Sequence, residues 1–251
     1  MIDQNAIGKS SRSNPVTYIK AWDHIRDLFA SQPLAKMRGF QPKHFSFNVD
    51  AGRCDACKGE GEKIVEMQFL ADVHLTCDVC LGRKFKEEVL EVQYKGKNVF
   101  DVLEMSVDDA LEFFKDEKSI HNGIKCLSEV GLGYVKLGQS SDTLSGGEAQ
   151  RVKLASFLGK GKSAGKVLFI FDEPTTGLHF HDIKKLLASF NALIDQGHSV
   201  IVIEHNTDVI KSADWLIDLG PEAGANGGYL VYEGNPASIH NQQISWTGKF
   251  M

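Results

Sequence analysis

Two neighbouring runs of residues constrain the fold of this chain more than any other feature. They are residues 144–154 (LSGGEAQRVKL) and residues 167–179 (VLFIFDEPTTGLH). The first run puts a serine and two glycines at the start of a helix, where free backbone N–H groups can hold a phosphate. The second is an apolar strand that ends in two adjacent carboxylates, a pair suited to a metal ion and a water molecule. Together the runs predict a nucleotide site.

Individual roles follow from the two runs. Asp172 follows five apolar residues, the position of the acid that holds Mg²⁺ in phosphate-binding ATPases, and Glu173 beside it can polarise the attacking water. Ser145, Gly146 and Gly147 would contact a γ-phosphate, because glycine permits close backbone approach. An isolated Asp-Glu pair is often just solvated, and Ser-Gly-Gly also marks flexible loops. Their occurrence together favours the nucleotide interpretation.

The second half of the chain alternates strand and helix. Apolar runs predict strands at 167–171, 199–203, 215–219 and 229–232, and a helical stripe lies between the first two. This pattern predicts an α/β fold with a largely parallel sheet. Further upstream, residues 45–49 and 89–94 alternate apolar and polar side chains, which predicts two short strands.

Four of the five cysteines form two CxxC pairs. Cys54 and Cys57 are separated from Cys77 and Cys80 by 19 residues, a spacing typical of a structural zinc site. Four thiolates would hold one Zn²⁺ tetrahedrally, with no position left open for catalysis. A redox role suits two matched pairs less well, and Cys126 falls in an apolar helical stretch as a core residue. The segment around Cys54 also matches the CxxCxGxG repeat of J-domain chaperones, but only the first pair fits it fully.

Composition limits the remaining possibilities. The chain has 251 residues and a formal net charge of −5, so any nucleic-acid binding must come from a local basic surface. We see no apolar stretch of membrane-spanning length and no signal-peptide core. These features predict a cytoplasmic protein without a membrane partner.

The order of the motifs resembles one family. Residues 12–15 (RSNP), the cysteine pairs, the 144–154 run and residues 204–206 (EHN) occur in the order found in the C-terminal ATP-binding-cassette half of the UvrA family. The resemblance implies a dimeric ATPase of bacterial nucleotide excision repair that uses ATP and Mg²⁺, binds double-stranded DNA with lesions and loads UvrB. It also implies that His205 is the switch histidine at the γ-phosphate, that Gln4 senses Mg²⁺ and water, and that Lys9 and Arg12 face DNA.

One expected motif of these ATPases is incomplete. A phosphate-binding loop reads G-x-x-x-x-G-K-[ST]. Residues 8–10 and 161–163 both read Gly-Lys-Ser, but Asp3 and Ser156 stand where the first glycine belongs. We therefore expect an ABC-type core that is incomplete at its N-terminus, and a chain that is inactive alone. In this family each site is composite, so the missing lysine would come from another segment.

The motifs predict four regions. These are a remnant of the ATPase core at 1–50, a zinc-binding module at 51–95, a helical signature subdomain at 96–143, and an ATPase core at 144–251. Alternatives to a repair ATPase are a UvrA-like resistance paralogue, a transporter nucleotide-binding subunit, whose helical insert normally lacks cysteines, and a binding module stabilised by zinc.

Overall fold

The computed structural model describes residues 5, 7–8, 12–65, 67, 73–159, 165–222, 224 and 227–251. The chain divides into two compact units, with the boundary between Gly165 and Lys166. We call them the amino-terminal and carboxyl-terminal units. Each is described by itself.

The amino-terminal unit is mainly helical. Its helices are α1 Pro15–Tyr18, α2 Ala21–Ala30, α3 Pro33–Met37, α4 Glu87–Leu90, α5 Val99–Glu104, α6 Val107–Phe113, α7 Lys118–Glu129 and α8 Gly146–Leu158, with a 3-10 helix at Pro42–Phe45. Two antiparallel hairpins accompany them. Strand β1 (Glu62–Val65) pairs with β2 (Val73–Thr76), and β3 (Gln93–Tyr94) pairs with β4 (Lys97–Asn98).

Helix α2 supplies the centre of this unit's core. Trp22, Ile25 and Phe29 recur at helical spacing and are buried on one face. That face packs on α7 and on the 3-10 helix, where the Phe29 and Phe45 rings lie 5.7 Å apart. The apolar period thus fixes which side of α2 is covered.

The carboxyl-terminal unit contains the predicted strands. Strand β5 (Leu168–Asp172) pairs parallel with β6 (Ser199–Ile203), and helix α9 (Phe180–Asp195) connects them. The α9 side chain Phe190 packs on Phe171 of β5, with ring centroids 4.7 Å apart. Helix α10 (Thr207–Lys211), strands β7 (Leu216–Gly220) and β8 (Tyr229–Gly234), a 3-10 helix at Pro236–Asn241 and helix α11 (Trp246–Phe250) complete the unit.

The predicted α/β fold is confirmed, and the strand directions refine it. Among the described strands, β5 and β6 form the parallel pair, whereas β7 and β8 pair antiparallel with each other. The connection between β7 and β8 has no room for a crossover helix, so these strands form a hairpin. No helix in the described parts of the chain is long and apolar enough to cross a lipid bilayer.

Two predicted strands are wrong. Residues 45–49 form the end of a 3-10 helix and a turn, in which Phe45 and Phe47 are buried. Residues 89–94 comprise the end of α4, a turn and the two residues of β3. At 45–49 and at 89–92 apolar side chains are buried in helical ends and turns, so their alternation there does not mark a strand. Within 89–94, Gln93 and Tyr94 pair with β4.

Candidate functional site

The four predicted zinc ligands lie together in the amino-terminal unit. The Sγ atoms of Cys54, Cys57, Cys77 and Cys80 all lie within 4.8 Å of one another, and the four side chains are buried. The Sγ atoms of Cys54 and Cys77 are 4.0 Å apart, and those of Cys57 and Cys80 are 3.6 Å apart. A tetrahedral zinc with bonds of about 2.3 Å separates its sulfurs by about 3.8 Å. The four thiols are free, and their arrangement fits one zinc ion.

Each CxxC pair lies in a tight turn that aims both sulfurs inward. Lys58 and Gly59 follow the first pair, and Leu81 and Gly82 follow the second, all with positive φ. The backbone N–H of Gly61 donates to Cys57 Sγ at 3.3 Å. We call these two turns the zinc knuckles. Their repeated geometry explains why glycine follows each pair, since left-handed backbone is costly for most residues.

Three of the thiols have different pKa values in the absence of a metal ion. Backbone N–H groups of Cys80 and Val79 lower the pKa of the Cys77 thiol to about 7. Burial raises the pKa of the Cys80 thiol to about 12, and it raises the pKa of Cys57 as well. Deprotonating Cys57 and Cys80 at neutral pH therefore requires a cation beside them, as a metal site provides.

Residues 144–154, which we call the signature run, contain the start of helix α8. Ser145 is its N-cap: its hydroxyl accepts from the backbone N–H of Glu148 at 3.2 Å. In return, Glu148 Oε2 accepts from the backbone N–H of Ser145 at 2.8 Å, which completes a capping box. Ser145 is exposed and Gly146 half-buried, while Gly147 is buried. The positive end of a 13-residue helix therefore opens at this serine.

Tyr134 is a member of this arrangement that sequence reasoning missed. Its hydroxyl donates to Glu148 Oε1 at 2.6 Å, so both carboxylate oxygens of Glu148 are held. Burial by itself would raise the pKa of Glu148, but the hydrogen bonds from Tyr134 and Ser145 outweigh it and lower that pKa. Burial, followed by the contact with Glu148, raises the pKa of Tyr134 to about 12. No motif pattern marks this tyrosine.

The predicted catalytic residues lie at the ends of β5 and β6 in the carboxyl-terminal unit. Asp172 is the last residue of β5 and stands opposite Ile203, the last residue of β6. Glu173 follows, and its carboxylate oxygen Oε1 lies 3.5 Å from Nε2 of His205. Because the strands are parallel, their carboxyl ends share one edge, where ligands bind in such sheets. The structure thus brings Glu173 and His205 together at this edge.

Glu173 has an unusual backbone conformation. Its φ is +45°, in the left-handed region that non-glycine residues rarely adopt. The Glu173 N–H donates to the carbonyl of Ile203 at 2.9 Å, and its own carbonyl accepts from Thr176 N–H at 3.1 Å. These bonds hold the strained residue with its side chain half exposed toward His205. Strain of this kind concentrates at functional sites.

Glu204 is a second residue that sequence reasoning missed. Its Oε1 accepts from the backbone N–H of Thr175 at 2.9 Å and from the Thr175 hydroxyl at 2.5 Å. Its Oε2 accepts from the backbone N–H groups of His205 at 2.9 Å and Asn206 at 3.1 Å. One carboxylate therefore joins the loop after β5 to the loop after β6. Its place beside His205 was the available signal.

Arg12 lies beside the first zinc knuckle. Its guanidinium Nε is 3.0 Å from Oε1 of Glu60, and both residues line a groove of about 550 Å³. Arg53, Lys58 and Lys63 also line this groove. Arg53 pairs with Asp50, and Lys63 pairs with Asp78 at 2.5 Å. The predicted contacts Gln4 and Lys9 lie outside the described residues.

The comparisons with known proteins agree with these motifs. The chain is 55% identical over 250 residues to the UvrABC system protein A of Aquifex aeolicus and 56% identical to that of Mycobacterium tuberculosis. The alignments cover 100% of this chain but only 27% and 26% of those relatives. The solved structure of UvrA2 from Deinococcus radiodurans matches 99% of this chain with a TM-score of 0.90 and 47% identity, over 30% of its own length.

No protein-family model matches the chain. The similarity to the curated relatives nevertheless covers 100% of this chain. It also extends to the three-dimensional fold. The chain therefore belongs to the UvrA family, and it spans about a quarter of the length of the curated relatives that it matches.

Proposed function

We propose that this chain forms part of an ATPase of nucleotide excision repair. Its carboxyl-terminal unit would provide a catalytic carboxylate and a switch histidine, and its amino-terminal unit a signature helix, each as part of a composite nucleotide site. The observation that carries the proposal is the 3.5 Å approach of the Glu173 carboxylate to His205 at the shared edge of two parallel strands. The whole-length similarity to UvrABC system protein A favours repair over a transporter role.

The roles of the catalytic residues follow from their chemistry. Bound Mg²⁺ would neutralise charge on the transferring phosphate, and Asp172 is the carboxylate that would hold it. Glu173 orients the attacking water and accepts its proton. His205, 3.5 Å away, donates a hydrogen bond to the γ-phosphate. Gln4, outside the described residues, is the proposed contact to Mg²⁺ and water.

In the amino-terminal unit, helix α8 would contact a phosphate of the nucleotide. Ser145, Gly146 and Gly147 open the N-terminus of α8, where backbone N–H groups and the helix dipole favour an anion. In a composite site these residues complete a pocket whose phosphate-binding lysine belongs to another segment. We therefore propose that a homodimer of the longer protein is the active form, and that this chain alone does not turn over ATP.

The four cysteines bind one zinc ion per chain. Their sulfur separations and burial support this, and a closed four-thiolate site is structural rather than catalytic. Zinc would fix the two knuckles and so the surface that carries Arg12. We propose that this surface, with Lys9, contacts the phosphates of damaged double-stranded DNA, and that the protein loads UvrB in the cytoplasm.

ATP turnover in a hybrid protein tests the proposal. Residues 1–251 would replace the matching segment of the Aquifex aeolicus UvrABC system protein A, which is 55% identical over 250 residues. We expect Mg²⁺-dependent turnover in the hybrid and a loss of at least about 100-fold in Glu173→Gln, the size of effect expected when a transition-state contact is removed.

The 251-residue chain and a Glu233→Gln hybrid are the controls. Glu233 is an exposed residue of β8, so the same chemical change there should leave turnover unaltered. Saturable turnover by the 251-residue chain that Glu173→Gln abolishes would contradict the composite site. A hybrid without ATPase activity, although folded and dimeric, would contradict the proposed function.

A further inference from the structure

Glu204 links the two loops that carry the catalytic pair, and its described hydrogen bonds are to Thr175 and to the backbone of His205 and Asn206. It follows β6 directly, is half-buried, and lies next to His205 in the sequence. Its carboxylate receives four hydrogen bonds, two on each oxygen. Such a pattern uses nearly the whole acceptor capacity of an ionised carboxylate.

The two oxygens serve different loops. Oε1 binds the backbone N–H and the hydroxyl of Thr175, in the loop that begins with Glu173. Oε2 binds the backbone N–H groups of His205 and Asn206. Three of the four donors are backbone groups, so the carboxylate fixes main chain on both sides. Charge-assisted bonds of this kind are about twice as strong as neutral ones.

Other contacts at the same edge of the sheet indicate why it matters that Glu204 joins the two loops. Glu173 is held in left-handed backbone with φ +45°, and its N–H bonds to Ile203 at 2.9 Å. Its side chain meets His205 across 3.5 Å, and the His205 side chain is 85% exposed. Neither side chain is confined by packing, so their separation depends on where the two loops hold their backbones.

We propose that Glu204 is a positioning residue that sets the distance between Glu173 and His205 for ATP hydrolysis. The inference rests on the proposed function for its catalytic part. Its structural part concerns the chain alone: one carboxylate ties the two loops together. Glutamine at this position keeps the size of the side chain but replaces one acceptor oxygen by a donor, so one loop is released.

Amide hydrogen exchange on the 251-residue chain tests the structural part. We expect the Thr175, His205 and Asn206 amides to exchange about 10- to 100-fold faster in Glu204→Ala, because hydrogen bonds to charged groups contribute this much. Glu204→Gln should release the donors on one oxygen. Amides of β5 and β6 report whether the unit remains folded, and Glu233→Gln is the matched control. Exchange within twofold of the unaltered chain would overturn the proposal.

Steady-state kinetics in the hybrid protein test the catalytic part. A positioning role predicts that kcat falls about 10- to 100-fold in Glu204→Gln while KM for ATP changes less than about threefold, since misplaced catalytic groups reduce rate more than binding. An unchanged kcat in Glu204→Gln, in a protein whose amides show that the loops are released, would overturn the positioning role. A hybrid inactive before any substitution would contradict the proposed function instead, and the exchange experiment would still decide whether the bridge exists.

Discussion

Replacing Gly59 by alanine tests how tightly the first zinc knuckle is built. Gly59 has φ +85°, and a Cβ added there would lie 2.2 Å from the carbonyl oxygen of Phe47. Gly96, in the β3–β4 turn, has a similar φ of +77° but nothing within 4 Å of an added Cβ. The two substitutions therefore share a backbone cost and differ in the clash.

The expected magnitudes follow from this difference. Left-handed backbone costs alanine about 1–2 kcal/mol, and reduced freedom of the unfolded chain returns about 0.4–1 kcal/mol. Gly96→Ala should thus destabilise the amino-terminal unit by about 1 kcal/mol. Gly59→Ala adds an overpacking cost of about 1–3 kcal/mol. The Phe47 ring packs between Trp22 and Phe85 at 5.9 and 6.1 Å, so the knuckle must move instead.

Moving the knuckle displaces Cys57, so zinc binding should weaken as well. We expect Gly59→Ala to lower zinc affinity about 10- to 100-fold, the size of effect seen when residues that support metal ligands are lost. Gly96→Ala should leave zinc affinity unchanged. Urea unfolding followed by the fluorescence of the buried Trp22 measures stability, and competition with a chelator measures affinity. Equal effects of the two substitutions on both quantities would refute the reasoning.

Four further predictions concern other parts of the two units. The purified chain should contain one zinc, and chelation should make four thiols reactive while Cys126 stays buried; a folded protein with no zinc would contradict the site. Ser145→Ala should cost about 1 kcal/mol of unfolding free energy through loss of the α8 N-cap, whereas Ser156→Ala within the same helix should cost less; equal costs would contradict the cap. The lowered pKa of Glu148 contributes stability that is present above its usual pKa of 4.5 and lost as pH falls through the lower folded value. In urea unfolding, the difference in unfolding free energy between the unaltered chain and Glu148→Gln should therefore shrink below about pH 4.5. A difference that stays constant would argue against the lowered pKa of Glu148. Lys9→Ala should lower DNA affinity and reduce its salt slope by about 1, and an unchanged slope would remove Lys9 from the contact surface.

The sequence predicted best where chemistry requires fixed spacing. Four thiolates can share one ion only if they converge, so the spacing alone predicts that the four cysteines lie together, as they do. The strand before Asp172 and the helix after Ser145 were likewise marked by an apolar run and a cap residue. In these places local sequence and final structure depend on the same few residues.

The failures arose where long-range packing decides. Phe45 and Phe47 alternate like strand residues, but they anchor irregular chain between α2 and the zinc knuckles. The direction of β7 depends on its pairing with β8, which a single strand's composition does not encode. Tyr134 and Glu204 gain their roles from partners 14 and 29 positions away in the chain. No local pattern distinguishes such residues from others of their type.

Glu60 of the first zinc knuckle pairs with the Arg12 guanidinium, so it would compete with a nucleic-acid phosphate for this cation. A phosphate approaching Arg12 exchanges an existing carboxylate partner for a new anion, so the net gain is smaller than at a solvated arginine. The exchange also removes Arg12 from Glu60, which lies three residues after Cys57. If nucleic acid occupies this groove, its affinity would therefore depend on the Arg12–Glu60 ion pair next to the metal-binding turn.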